Sequence, residues 1–192
     1  MIQDMQNKNV LLISNAISLV PLLDIINSYD YIVRFNGGSN PFLLQKEKHI
    51  YGDKVDLCVL NGNFNSNFGD LNGFKDKKIL FHRMVNHEKN KHILDDIIKY
   101  TEDLNIIPNS VHNEFIDKYQ YASPTIGLIT IFYLSEVLKL EITCLNFFQD
   151  EKITNRLTNM NVNPRHIYEK ELQIYQKIKC SKINSEKAKF FI

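Results

Sequence analysis

The chain has 192 residues, 44% of them hydrophobic and 23% charged, which suits one domain with a sizeable core. A net charge of +1 leaves no broad basic field for nucleic acid and no acidic tail for a basic partner. No apolar run approaches the ~20 residues that cross a bilayer, and residues 1–8 lack the basic and apolar regions of a signal peptide, so the expectation is a cytoplasmic chain.

Three cysteines, Cys58, Cys144 and Cys180, stand too far apart for a zinc pattern, and their odd count makes a poor disulfide framework. Cys58 and Cys144 lie in apolar runs, where a buried, inert thiol in a reducing compartment is expected. Abundant Asn, Lys and Ile point to an AT-rich, bacterial genome.

In chain order, Asn9 to Ile13 reads as a buried strand. A helix follows, with Ser18 as N-cap, Pro21 in its first turn and Leu19, Leu22, Leu23 and Ile26 on one face. Asp30 to Phe35 is a second strand, closed by the loop Asn36-Gly37-Gly38-Ser39-Asn40-Pro41. Val55 to Leu60 is a third, again closed by Asn61-Gly62, and Lys78 to Phe81 a fourth. His92 to Tyr100 reads as a helix; residues 103–120 give no clear pattern beyond a short strand at Leu104 to Ile107. Thr125 to Leu138 is a strong helix and Glu141 to Phe147 a strand. Residues 149–163 are polar and read as a mobile loop. Arg165 to Ile178 is a helix offering Ile167, Leu172, Ile174, Tyr175 and Ile178 for packing, and the tail from Lys179 is ambiguous.

Strands alternating with helices predict an α/β fold: one Rossmann-like domain over 1–192, with a mostly parallel sheet and helices on both faces. Such sheets bind ligands beyond the carboxyl ends of their strands, near the point where strand order reverses. That rule singles out Ser14, Asn15 and Ala16, then Asn36 and Gly37, then Asn61. A neutral amide donates and accepts, so each Asn suits a ribose, a base edge or a phosphate; each also suits simple turn chemistry.

Ser123-Pro124-Thr125-Ile126-Gly127 opens a helix. Hydroxyls and free amides there make an anion site, or an ordinary N-cap. His166 stands at the mouth of the last helix, five residues before Glu171. It reads as a general base near neutral pH or as a plain helix-boundary residue, and Glu171 as a group orienting that helix end. No P-loop and no Gly-x-Gly-x-x-Gly is present, nor an Asp-x-Asp at a strand end. His82, His87 and His92 recur every five residues, which does not stack them on one helical face as metal ligands.

These segments resemble the sialyltransferases, both the eukaryotic-type family with its sialylmotifs and the short bacterial lipooligosaccharide enzymes. Val10 to Ala16 with Asp30, Ile32, Arg34 and Asn36 resembles the large sialylmotif, Ser14 and Ala16 standing where that pattern has Gly and Ser. Pro124 to Phe147 resembles the small motif, and His166 with Glu171 the very small motif, His-x4-Glu, in the same order. The resemblance implies a GT-A-like variant of the fold and a metal-independent inverting glycosyltransferase. The donor would be a CMP-sugar, carrying sialic acid or a related ulosonic acid, and the acceptor a glycan or glycolipid such as capsule or lipooligosaccharide. Ser14, Asn15, Ala16, Asn36, Gly37, Asn61, Ser123, Pro124, Thr125, Ile126 and Gly127 would bind the CMP-sugar. Arg34 and Glu171 would support them, and His166 would be the catalytic base. No cofactor and no metal are implied. A CMP-Kdo-dependent transferase and a catalytically degenerate nucleotide-binding module are the alternatives. Phe147-Phe148 and Phe190-Phe191-Ile192 suit core packing, a peripheral membrane contact at the inner face, or a homo-oligomer contact.

Overall fold

A computed structural model describes residues 2–15, 21–40, 44–61, 71–82, 95–148 and 167–184. Among them, seven strands form one sheet: β1 (Val10–Ile13), β2 (Tyr31–Phe35), β3 (Leu57–Asn61), β4 (Ile79–His82), β5 (Leu104–Ile106), β6 (Ile142–Leu145) and β7 (Ser181–Ile183). Their order is β5-β4-β3-β2-β1-β6-β7, and every pairing is parallel. The chain winds outward from β1 to β5, then returns to lay β6 on the other side of β1. Strand order therefore reverses between β1 and β6.

The inner strands are apolar at successive positions because both faces of a parallel sheet are covered. Period-2 alternation sends Leu12, Val33, Val59, Leu80 and Cys144 to one face. There they meet α3 (Asn109–Tyr119), α4 (Ile126–Phe132) and α5 (Tyr168–Lys177), through Val111, Phe115, Leu128, Phe132, Ile174 and Tyr175. Leu11, Ile13, Ile32 and Leu145 go to the other face, against Leu22 and Ile26 near α1 (Leu23–Asn27) and Tyr51 of α2 (Lys48–Tyr51). Farther along that face, Cys58, Leu60, Ile79 and Phe81 pack with Phe74 and Ile97. No helix among the described residues is long and apolar enough to cross a membrane.

Several boundaries differ from those expected. The first helix starts at Leu23, with Leu22 as its N-cap, so Pro21 lies outside its first turn. The Leu22 amide donates to the Ile50 carbonyl (2.7 Å), which holds the chain out of helical register until then. Ser18 lies outside the described residues, as does the loop expected at 149–163. The indistinct stretch 103–120 contains α3, capped at its C-terminus by Gln120 at φ 51°. The ambiguous tail supplies β7, a polar edge strand. The last helix starts at Tyr168, and Ile167, expected to pack, is 60% exposed as its N-cap. The long helix from Thr125 is α-helical to Phe132 and then takes a π turn over Tyr133–Val137. The Ser135 hydroxyl donates to the Ile131 carbonyl (2.7 Å) within it.

Candidate functional site

At the carboxyl edge, the sheet's reversal point is bridged by side chains. The Ser14 amide donates to the Leu145 carbonyl (3.1 Å), and its hydroxyl donates to the Asn146 carbonyl (2.5 Å). A glycine at position 14 would lack that second link between β1 and β6. Asn15 turns the other way: its amide nitrogen donates to the Phe35 carbonyl (3.0 Å) at the end of β2. Its buried Oδ1 has no hydrogen-bond partner among the described residues.

Asn36 follows β2 in the left-handed region (φ 47°), a conformation Asn tolerates. Its Oδ1 accepts from the Asn61 amide (3.2 Å) at the end of β3. Gly37 lies buried in the short 3-10 turn after it and accepts from the Asn40 amide (3.0 Å). The asparagines read from the sequence thus join the ends of β1, β2 and β3 into one rim of neutral amides. Asn146, after β6, belongs to the same rim. It is buried, has φ 60°, and its amide donates to the Ile183 carbonyl (2.9 Å) of β7. A strand followed by Asn was its signal, the same one that marks Asn15, Asn36 and Asn61.

The second part of the site is the start of α4. Thr125 caps the helix: its hydroxyl accepts from the Leu128 amide (3.3 Å). That hydroxyl also donates to Glu171 Oε2 (2.8 Å), and the Thr125 amide donates to Glu171 Oε1 (2.9 Å). The Tyr121 hydroxyl donates to the same Oε1 (3.2 Å) and accepts from the Ile167 amide (3.2 Å). Glu171 is only 1% exposed. A buried carboxylate is tolerable here because three donors and the positive end of a helix surround it. Glu171, expected to orient a helix end or to interact with first-turn amides, ties the start of α4 to α5, across 46 positions of sequence. Tyr121 was not foreseen, since nothing local in the sequence ties it to residue 171.

Thr125 is therefore saturated by protein partners, and a carboxylate already faces the α4 terminus. Ser123 is exposed, and the first-turn amides of Ile126 and Gly127 have no intrahelical acceptor. Pro124 is buried, and Ile126 is half-buried against the main core. Gly127 is required by close approach: a Cβ there would lie 2.8 Å from Cε1 of Phe147. Phe147 is itself wedged edge-on to Phe35 (centroids 5.7 Å) and beside Tyr175 (6.2 Å). Phe148 stacks near Tyr168 and Tyr175. Both phenylalanines thus serve packing, while Phe190-Phe191-Ile192 lies outside the described residues.

Arg34 does not join the rim. Alternation turns it to the opposite face, where it is buried and donates to the carbonyls of Lys54 (2.9 Å) and Tyr51. It supports the site only by fixing the segment between α2 and β3. Ala16 and His166 lie outside the described residues, as do Gly62, His87 and His92.

The rim continues to β4. His82 stands in register with Asn61, and its ring lies 5.8 Å from that of His112 in the first turns of α3. Burial pushes the His82 imidazole down to about 4 and lowers His112 as well, so both are neutral near pH 7. Among the described residues, no three His, Cys, Asp or Glu side chains gather as metal ligands.

No protein-family model matches the chain, and no curated protein matches it.

Proposed function

We propose that the chain is an inverting, sialyltransferase-like enzyme that moves sialic acid or a related ulosonic acid from a CMP-sugar to a hydroxyl of a glycan acceptor. The observation that carries this reading is the Glu171–Thr125 link. Two segments that resemble the small and very small sialylmotifs, far apart in sequence, meet through a buried carboxylate. A third, resembling the large motif, supplies the amide rim at the same sheet edge.

In this reading Asn15, Asn36 and Asn61 hold the nucleotide through neutral donors and acceptors, with Ser123 and the first-turn amides of α4 beside it. His166 takes the proton of the acceptor hydroxyl. The hydroxyl oxygen attacks the anomeric carbon from the side opposite CMP, the bond to the phosphate oxygen breaks, and CMP leaves with the bonding pair. The Ile167 amide donates to the Tyr121 hydroxyl.

The test is a donor screen read by CMP release, with lipooligosaccharide acceptors and with CMP-sialic acid or CMP-Kdo as donor. Release from one donor, lost in His166→Ala, is expected. CMP binding without turnover of either donor identifies a nucleotide-binding module instead. Absence of CMP binding in calorimetry, unchanged by Asn15→Ala, refutes the assignment.

A further inference from the structure

We propose that Cys144 and Cys180 form a redox-active dithiol that reacts with anionic small-molecule disulfides of the glutathione class, through a lysine-lined cavity at the amino-terminal edge of the sheet. The two sulfurs lie 3.8 Å apart, in van der Waals contact. Cys144 sits buried on β6; Cys180 is half-buried in the turn between α5 and β7. A cavity of about 850 Å³ opens beside Cys180 and is lined also by Lys139, Lys177, Lys179 and Lys182, against Glu136 and Glu141. Cations outnumber anions there, and Glu136 is engaged by Lys118 (3.2 Å) and the Lys179 amide (3.1 Å). The cavity therefore favours a guest carrying carboxylates.

The two thiols are unequal in the way a reactive pair needs. The Cys144 S–H donates to the Cys180 sulfur. Lys182 is held beside Cys180 by the carbonyls of Ile178 (2.9 Å) and Cys180 (3.1 Å), with its ammonium 5.0 Å from the Tyr175 ring centroid. The Cys144 hydrogen bond, aided by Lys182, brings the Cys180 thiol down to about 7, whereas burial raises Cys144. Cys58 shows the contrast within the same chain: buried away from any second thiol, it is pushed up to about 12.

The chemistry closes without a further reagent. The Cys180 thiolate attacks one sulfur of the incoming disulfide; that S–S bond breaks, a mixed disulfide forms, and the other half leaves as thiolate. Cys144, giving up its proton, then attacks the Cys180 sulfur and releases the second small thiol. Two protein thiols are oxidised and one small disulfide is reduced. The product covalently joins β6 to the end of α5.

The experiment treats the full chain with oxidised glutathione at neutral pH and maps the adducts by mass spectrometry. An intramolecular Cys144–Cys180 cystine is expected, with Cys58 unreacted. Cys144→Ala should trap one glutathionyl group on Cys180, and Cys180→Ser should abolish reaction at both positions. Lys182→Ala should slow the reaction severalfold with oxidised glutathione, and less with the uncharged 2-hydroxyethyl disulfide. Reaction of Cys180 no faster than Cys58 in the wild-type protein, or a cystine only between two copies of the chain, overturns the proposal.

Discussion

Replacing Glu171 tests the joint between α4 and α5 directly. Glu171→Ala strands three donors inside the protein: the Thr125 amide, the Thr125 hydroxyl and the Tyr121 hydroxyl. Each buried donor left without a partner costs about 1 kcal/mol or more, so the expected loss is about 3–5 kcal/mol. For a chain of this length that lowers Tm by about 6–20 °C. Glu171→Gln keeps an acceptor for the Thr125 amide and Tyr121 but loses the charge and the bond from the Thr125 hydroxyl; about 1–2 kcal/mol is expected. Urea denaturation followed by circular dichroism measures both. Thr125→Val should show a coupling of about 1 kcal/mol or more with Glu171→Ala in a double-mutant cycle. A Glu171→Ala loss under about 1 kcal/mol, or strictly additive effects, would refute the idea that this carboxylate joins the two helices.

Gly127→Ala places a methyl 2.8 Å from a ring already wedged between Phe35 and Tyr175, so a loss of about 1–3 kcal/mol is expected, measured by thermal melting. Phe147→Leu in the same chain should recover part of it. His82 is held neutral with its pKa about 4, below its ordinary 6.5, so the unfolded state binds more protons between these values. Stability is therefore full above about pH 6.5 and falls as pH drops toward 4, by up to about 3 kcal/mol from this group. His82→Gln should flatten that part of the urea-midpoint profile against pH. The proposed transferase activity should persist in excess chelator; complete loss, restored by magnesium or manganese, would contradict a displacement that uses no metal.

The sheet was legible because its strands are apolar runs ended by Asn, and burial on both faces demands that composition. What escaped was set by context. Segment 109–119 buries only Val111 and Phe115, so its helical period is faint against polar neighbours. Ser181–Ile183 is a three-residue edge strand with two exposed polar side chains, too short for a strand signal; it is held by pairing with β6 and by Ile183 on the core. The strand-end asparagines were legible for the same reason as the strands. Glu171 was legible as a residue that matters but not as the cap of another helix, because its partners lie 46 and 50 positions away. Arg34 was read as a supporting residue from the large-motif pattern it shares with Asp30 and Asn36; its partners, the carbonyls of Tyr51 and Lys54, lie 17 and 20 positions away and leave no local signal.

The return of the chain to β1 also sets an order of birth. The Asn15–Phe35 bond spans 20 positions, whereas the Ser14–Asn146 bond spans 132. On the ribosome the amide rim of β1, β2 and β3 can assemble early, while the other edge of β1 stays unpaired until β6 emerges. That naked, apolar edge in the middle of the future sheet is where a nascent chain is open to mispairing. The α4 cap waits longer still, for Glu171. A chain truncated between residues 146 and 171 keeps both neighbours of β1 but lacks the carboxylate that ties Thr125 to α5.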